Sequence, residues 1–154
     1  MSANVIVVVE QEFAYPRPRV FRAWTAPEEM SQWRGSPGWH VERESVTSDL
    51  RTGGKHHHVK VRDDDPSVRV TTDAVFTEYF DPDVFVARQR ITGDSGIDPN
   101  ESLELRVEFT AMGGDSTLVR IVQGPYDPAV AQYHAAGWEK ELARLGTYLD
   151  GGQA

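Results

Sequence analysis

Two spacings of apolar residues alternate along this chain, and the places where one gives way to the other mark its elements. Val5-Ile6-Val7-Val8-Val9 is β-branched throughout and continues through Glu10, Gln11 and Glu12 to Phe13. This predicts a strand that is buried early, amphipathic later, and ended by Tyr15-Pro16. Beyond Pro16 and Pro18 the spacing becomes helical: Val20, Phe21 and Trp24 share a face, and a second short helix follows Pro27 through Met30 to Trp33. Arg34-Gly35-Ser36-Pro37-Gly38 is rich in turn formers and carries Trp39 at its exit.

From there to Gln123 the pattern is that of strands, predicted over 41–48, 56–62, 68–80, 84–91, 103–111 and 117–123. Gly53-Gly54, Asp81-Pro82-Asp83 and Gly113-Gly114-Asp115 are short connections of the kind that join antiparallel neighbours. Period two is clearest where Leu103, Leu105, Val107 and Phe109 alternate with Glu104, Arg106, Glu108 and Thr110, so one face of that strand is wet. After Gly124-Pro125, Asp127 is an N-cap candidate, and Ala131, Ala135, Trp138, Leu142, Leu145 and Leu149 form the stripe of one long amphipathic helix. Gly137 within that helix suggests close packing against a neighbour. The stripe must bury itself on the concave face of a curved sheet, giving an α+β domain of seven antiparallel strands around a C-terminal helix.

Composition narrows the chemistry. At 154 residues the chain is the size of one domain, expected to span 1–154 with a core over about 4–149 and a frayed tail at 150–154. No apolar run reaches the ~20 residues that span a bilayer and no signal peptide is evident, so no membrane role and a cytoplasmic location are expected. With no cysteine in the sequence, disulfides, thiolate nucleophiles and sulfur-ligated metals are excluded. A formal charge of −8 without a basic cluster argues against nucleic acid as a partner. Asp63-Asp64-Asp65 lacks the spacing of a calcium loop and reads as a solvated turn.

Four segments in order then carry a resemblance. They are Pro18-x-Val20-Phe21-x-Ala23-Trp24-Thr25-x-Pro27-Glu28 with Trp33 beyond, Asp49-x-Arg51-x-Gly53-Gly54, Glu78-Tyr79-Phe80-Asp81-Pro82 before Val84, and Gly137-Trp138-x-x-x-Leu142-x-x-Leu145. The chain resembles the activator of heat-shock-protein-90 ATPase homologue family of the START-like (SRPBCC) superfamily. The resemblance implies the helix-grip fold and a cavity between sheet and helix. Members are described as carriers, cyclases or hydrolases of small hydrophobic molecules, or co-chaperone-like modules, so the fold alone does not name a function. Two departures stand out. His56, His58 and Lys60 occupy alternate positions that are usually aromatic or aliphatic in the family, and Gln123 stands where many relatives carry His.

These residues define a candidate cavity. His56 and His58 fall on one strand face and His57 on the other. They line a hydrated pocket, serve as a general acid or base, or hold a metal, for which His40 and His134 offer no third ligand at a convincing spacing. No metal and no cofactor are expected. Arg88 and Arg90 share a face; pointing inward with Lys60 they would favour an anionic head group, and pointing outward they would pair with surface carboxylates. Trp33 and Trp39 are expected near the cavity mouth, whereas Trp24 and Trp138 read as structural. Tyr79 offers a phenol, and Gln123 and Trp138 complete the set. No phosphate loop, nucleophile elbow or zincin helix is present. The leading expectation is non-catalytic binding of a small hydrophobic molecule, with or without an anionic head group. The alternatives are a cyclase- or hydrolase-like reaction using a cavity histidine, and a co-chaperone-like contact with a protein partner. Homodimerisation is left open.

Overall fold

The computed structural model describes residues 4–151. The expected frayed tail lies, beyond Gly151, outside the described residues. Strand β1 (Val5–Phe13) is followed by helices α1 (Arg17–Thr25) and α2 (Pro27–Trp33). Strands β2 (Trp39–Val41), β3 (Thr47–Ser48), β4 (Lys55–Arg62), β5 (Asp65–Phe80), β6 (Val84–Gly93), β7 (Leu103–Ala111) and β8 (Thr117–Tyr126) precede the long helix α3 (Pro128–Leu149). The strands form one antiparallel sheet in the order β1-β8-β7-β6-β5-β4-β2, seven side by side, with β3 also paired to β4. Each strand from β4 to β7 pairs with its successor, and β8 closes onto β1. The sheet curls around α3, whose Leu142 and Leu145 are fully buried against inward residues such as Val107, Val119 and Ile121. Each such leucine contributes about 1.5–3 kcal/mol by leaving water.

Three expectations are refined. The single strand predicted over 41–48 is broken by a 3₁₀ turn, Arg43–Ser45, because Glu42-Arg43-Glu44-Ser45 has no alternation to hold it flat. The Ser45 hydroxyl donates to the Glu42 carbonyl and accepts from the Val59 amide, satisfying the turn locally. Strand β1 is not buried early: Val7 and Val9 face the core, but Ile6 and Val8 are about half exposed on the convex side of this edge strand. Gly137 does not permit close helix packing. A Cβ there would lie 3.5 Å from Ser36 Oγ, an ordinary contact, so the glycine leaves space instead.

Other readings stand. Asp127 caps α3 by accepting from the Ala129 amide at 2.9 Å, and β7 alternates as its sequence predicts. The two short helices are tied to the body through Trp33, whose Nε1–H donates to the Ala23 carbonyl at 2.8 Å, and through Glu29, which accepts from Arg19, Arg22 and the Tyr148 hydroxyl of α3.

Candidate functional site

The concave face is not uniformly apolar. Along β6 the inward residues run Phe85, Ala87, Gln89, Ile91, and along β8 they run Val119, Ile121, Gln123, so both strands turn polar toward the same end of the sheet. On β4 the inward His56, His58 and Lys60 continue that polar surface, since every second residue of a strand shares a face. Helix α3 covers it with Trp138 and Glu141. What forms is a cavity of about 90 Å³ between sheet and α3, adjoined by an inner chamber of about 30 Å³. Arg34, His58 and Gln89 line both spaces and form the partition between them.

Gln123 organises one wall. Its Oε1 accepts from Trp138 Nε1 at 2.7 Å and from the Tyr126 hydroxyl, which fixes the amide orientation, and its Nε2 then donates to Gln89 Oε1 at 2.8 Å. All four side chains are buried, so each bond answers a group that would otherwise be stranded away from water. Burial holds the Tyr126 phenol well above its ordinary range, with Glu141 adding to the effect.

Arg34 organises the other wall. Its guanidinium lies over the rings of Trp138, Trp24 and Trp33, at 5.1, 5.5 and 5.8 Å from their centroids, and its Nε donates to Glu141 Oε1 at 3.0 Å. The same carboxylate oxygen accepts from the Gly35 amide at 2.7 Å. Burial alone would push the Glu141 carboxyl up, but Arg34, Lys60 and that amide together hold it below its usual value. The loop that presents Arg34 is clamped onto α3 by Arg144, which donates to the carbonyls of Gly35, Ser36 and Trp39. Gly35 sits at φ +104, a conformation L side chains rarely adopt, and a Cβ there would meet the Trp39 carbonyl at 3.1 Å.

His56 and His58 form the third feature. His56 Nε2 and His58 Nδ1 are 2.7 Å apart, and His56 Nδ1 is 3.0 Å from Ser48 Oγ. One proton lies between the two rings, and the chain of polar atoms leads from Ser48 to the cavity wall. Burial, with Arg34 nearby, lowers His56 to about 4 and holds His58 well below the ordinary histidine range, so both rings are neutral at pH 7. Lys60 lies with its ammonium 5.7 Å from the Trp39 ring centroid. Burial lowers its pKa against an opposing pull from Glu141, with Arg34 adding a smaller lowering.

Of the residues singled out from sequence, Trp39, His58, Lys60, Gln123 and Trp138 line the cavity and His56 lines the inner chamber. Four do not converge there. Arg88 and Arg90 are exposed on the convex face, because inward parity on β6 belongs to Phe85, Ala87 and Gln89. Trp33 is wholly buried beneath Arg34 rather than near the mouth, and Tyr79 packs edge-on against Phe21 and Phe76. Conversely Trp24, read as structural, lines the inner space. Sequence reasoning missed Arg34, Gln89 and Glu141. Glu141 had a signal, since it lies three residues after Trp138 on the apolar stripe; Gln89 had one in its parity with Phe85; Arg34, in an irregular loop, had none. Among the described residues, no three His, Asp or Glu side chains converge as a metal site requires, and no helix is long and apolar enough to cross a membrane.

Comparison with known proteins agrees with this architecture. The family model described as "Activator of Hsp90 ATPase homolog 1-like protein" matches residues 14–150. The AHSA1 protein from Silicibacter pomeroyi superimposes with a TM-score of 0.81 at 18% identity, covering 95% of this chain and 98% of that one. An AHSA1-like protein from Aeromonas hydrophila gives 0.74 at 21% identity, covering 96% and 93%. DynU16, a putative protein of the dynemicin biosynthetic locus, gives 0.72 at 20% identity, covering 96% of this chain but 48% of its own. At these identities the likeness is one of fold. No curated protein matches the chain.

Proposed function

The chain belongs to the activator of Hsp90 ATPase homolog 1-like protein family, within the START-like superfamily, and from that premise we propose that it binds a compact small molecule, apolar in body, between its sheet and α3. The observation that carries this reading is the cavity wall itself. Gln123, Gln89, Tyr126 and Trp138 form a closed set of hydrogen bonds beside open space, flanked by apolar Val70 and Ile91. A few fixed polar groups in a largely apolar concavity are what small-molecule sites consist of. The size supports a compact ligand over a long-chain lipid, since the two spaces together are of the order of the ~150 Å³ that takes up benzene.

The test is native mass spectrometry of the purified protein followed by thermal-shift titration with single-ring aromatic compounds. Binding to the native state raises the melting temperature by mass action. A retained organic mass, or a concentration-dependent rise with ring compounds, supports the reading; neither effect up to millimolar concentrations contradicts it.

A second reading has its own observation. The path Ser48–His56–His58 delivers a proton to the partition of the cavity if both rings exchange tautomer, which suits acid–base chemistry on a bound substrate. The low basicity of both rings favours binding over catalysis, since rings so easily kept neutral are weak bases for the Ser48 hydroxyl that His56 contacts. Turnover of a cavity ligand that is abolished by His58→Gln would reverse that preference.

A further inference from the structure

The charges and donors around the cavity do not balance. Arg34 and Lys60 both line it, against one buried carboxylate, Glu141; Asp94 lies at the exposed rim, where solvent screens it. The lining histidines, His58 and His134, are held below their ordinary pKa by burial and bring no charge at neutral pH. Donors are in excess as well. Arg34 bonds only through Nε, so among the described residues its Nη1 and Nη2 have no acceptor. Lys60 makes no hydrogen bond or ion pair among them and rests only on the face of Trp39. Trp24, which lines the inner chamber next to Arg34, carries the one buried side-chain polar atom without a hydrogen-bond partner among the described residues, its Nε1–H.

Partly buried cations without a full set of partners, and a buried unpaired N–H, are costly unless something pairs with them. The three indoles and the Glu141 bond hold the guanidinium in place, so its Nη1/Nη2 edge is a preorganised fork of the geometry that takes a carboxylate through two parallel hydrogen bonds. The surplus is a single positive charge, two cations against one carboxylate, which matches a monoanion.

We propose that the ligand is a compact monocarboxylate whose carboxylate lodges on the Nη1/Nη2 edge of Arg34, with Lys60 as its counter-charge and its apolar body against Val70, Ile91 and Trp138. This rests on the small-molecule reading above and adds to it the ligand's charge and orientation.

Phenylacetate and phenylacetamide test it, being alike in shape and different in charge. Calorimetric titration of the full chain at neutral pH and low ionic strength is expected to give at least tenfold tighter binding for the acid. Lys60→Met, which keeps the length and removes the charge, is expected to bring that preference below about threefold. Equal affinity for acid and amide in the parent protein overturns the carboxylate assignment while leaving the small-molecule reading standing. A preference that survives intact in Lys60→Met overturns the assigned counter-charge. Binding of neither compound overturns both readings, and the parent comparison needs no variant to fold.

Discussion

The two ends of the concave face share strands β5 and β6, yet they solve opposite problems. At one end Phe21 of α1 meets Phe85 and Phe109 edge to face, with Phe76 and Tyr79 packed beside them, and only the small inner chamber stays open there. At the other end His58, Lys60, Gln89, Gln123 and Glu141 leave a cavity. Phe85 and Gln89 lie four positions apart along β6, and the change in side chain over that distance turns a core into a site. Aromatic side chains interlock without polar demands. Amides and charges must be paired, and pairing at fixed geometry leaves space that apolar chains would have closed.

The comparison breaks most visibly by emptying the filled end. Phe109→Ala is expected to cost about 3–5 kcal/mol in urea unfolding, because it removes a ring from a closely packed cluster, while leaving the acid-over-amide preference intact. A loss under about 1 kcal/mol would show that end to be loosely packed.

The next effect belongs to the polar end and is set by pH. His56 in the folded chain titrates at about 4, below the ~6.5 of an unfolded histidine, so between these values the unfolded state binds more protons. Stability is therefore full above about pH 6.5 and declines as pH falls toward 4, by on the order of 3 kcal/mol from this ring, with His58 acting in the same direction. Urea midpoints at pH 7 and pH 5 check this. His56→Gln is expected to flatten the decline, and an unchanged slope would remove His56 as its cause.

Smaller still is Gln123→Leu, which strands the Tyr126 hydroxyl and the Trp138 indole N–H and is expected to cost about 1–3 kcal/mol. Smallest is Lys60→Met. Removing an unpaired, largely buried ammonium is expected to leave stability unchanged or slightly raised, within about 1 kcal/mol, although it removes the acid preference. A variant that both unfolds and loses binding would make Lys60 a structural residue.

The filled end was legible in the sequence because its signal is periodic. Alternation in β7 and the α3 stripe fixed which side of each element faces inward, and both hold. Within the polar end, His56, His58 and Lys60 were legible for the same reason, as three alternate residues of one strand. Arg88 and Arg90 stayed undecided between the two faces because parity gives two residues a common face without saying which; they point outward, and Gln89, on the other parity, takes the inward position. Arg34 was invisible, since its place depends on a positive-φ glycine and on the Arg144 clamp from 105 to 109 residues away in sequence. Local pattern reports faces of regular elements; it does not report where an irregular loop is pinned.

The most direct measurement is an NMR titration of the indole N–H signals with phenylacetate. The account predicts that Trp138, Trp39 and Trp24 shift together and saturate, while Trp33, bonded to the Ala23 carbonyl and lining neither chamber, stays nearly still. Saturating shifts confined to surface residues, or four unmoved indoles at millimolar acid, would contradict the claim that the polar end of the concave face is a binding site.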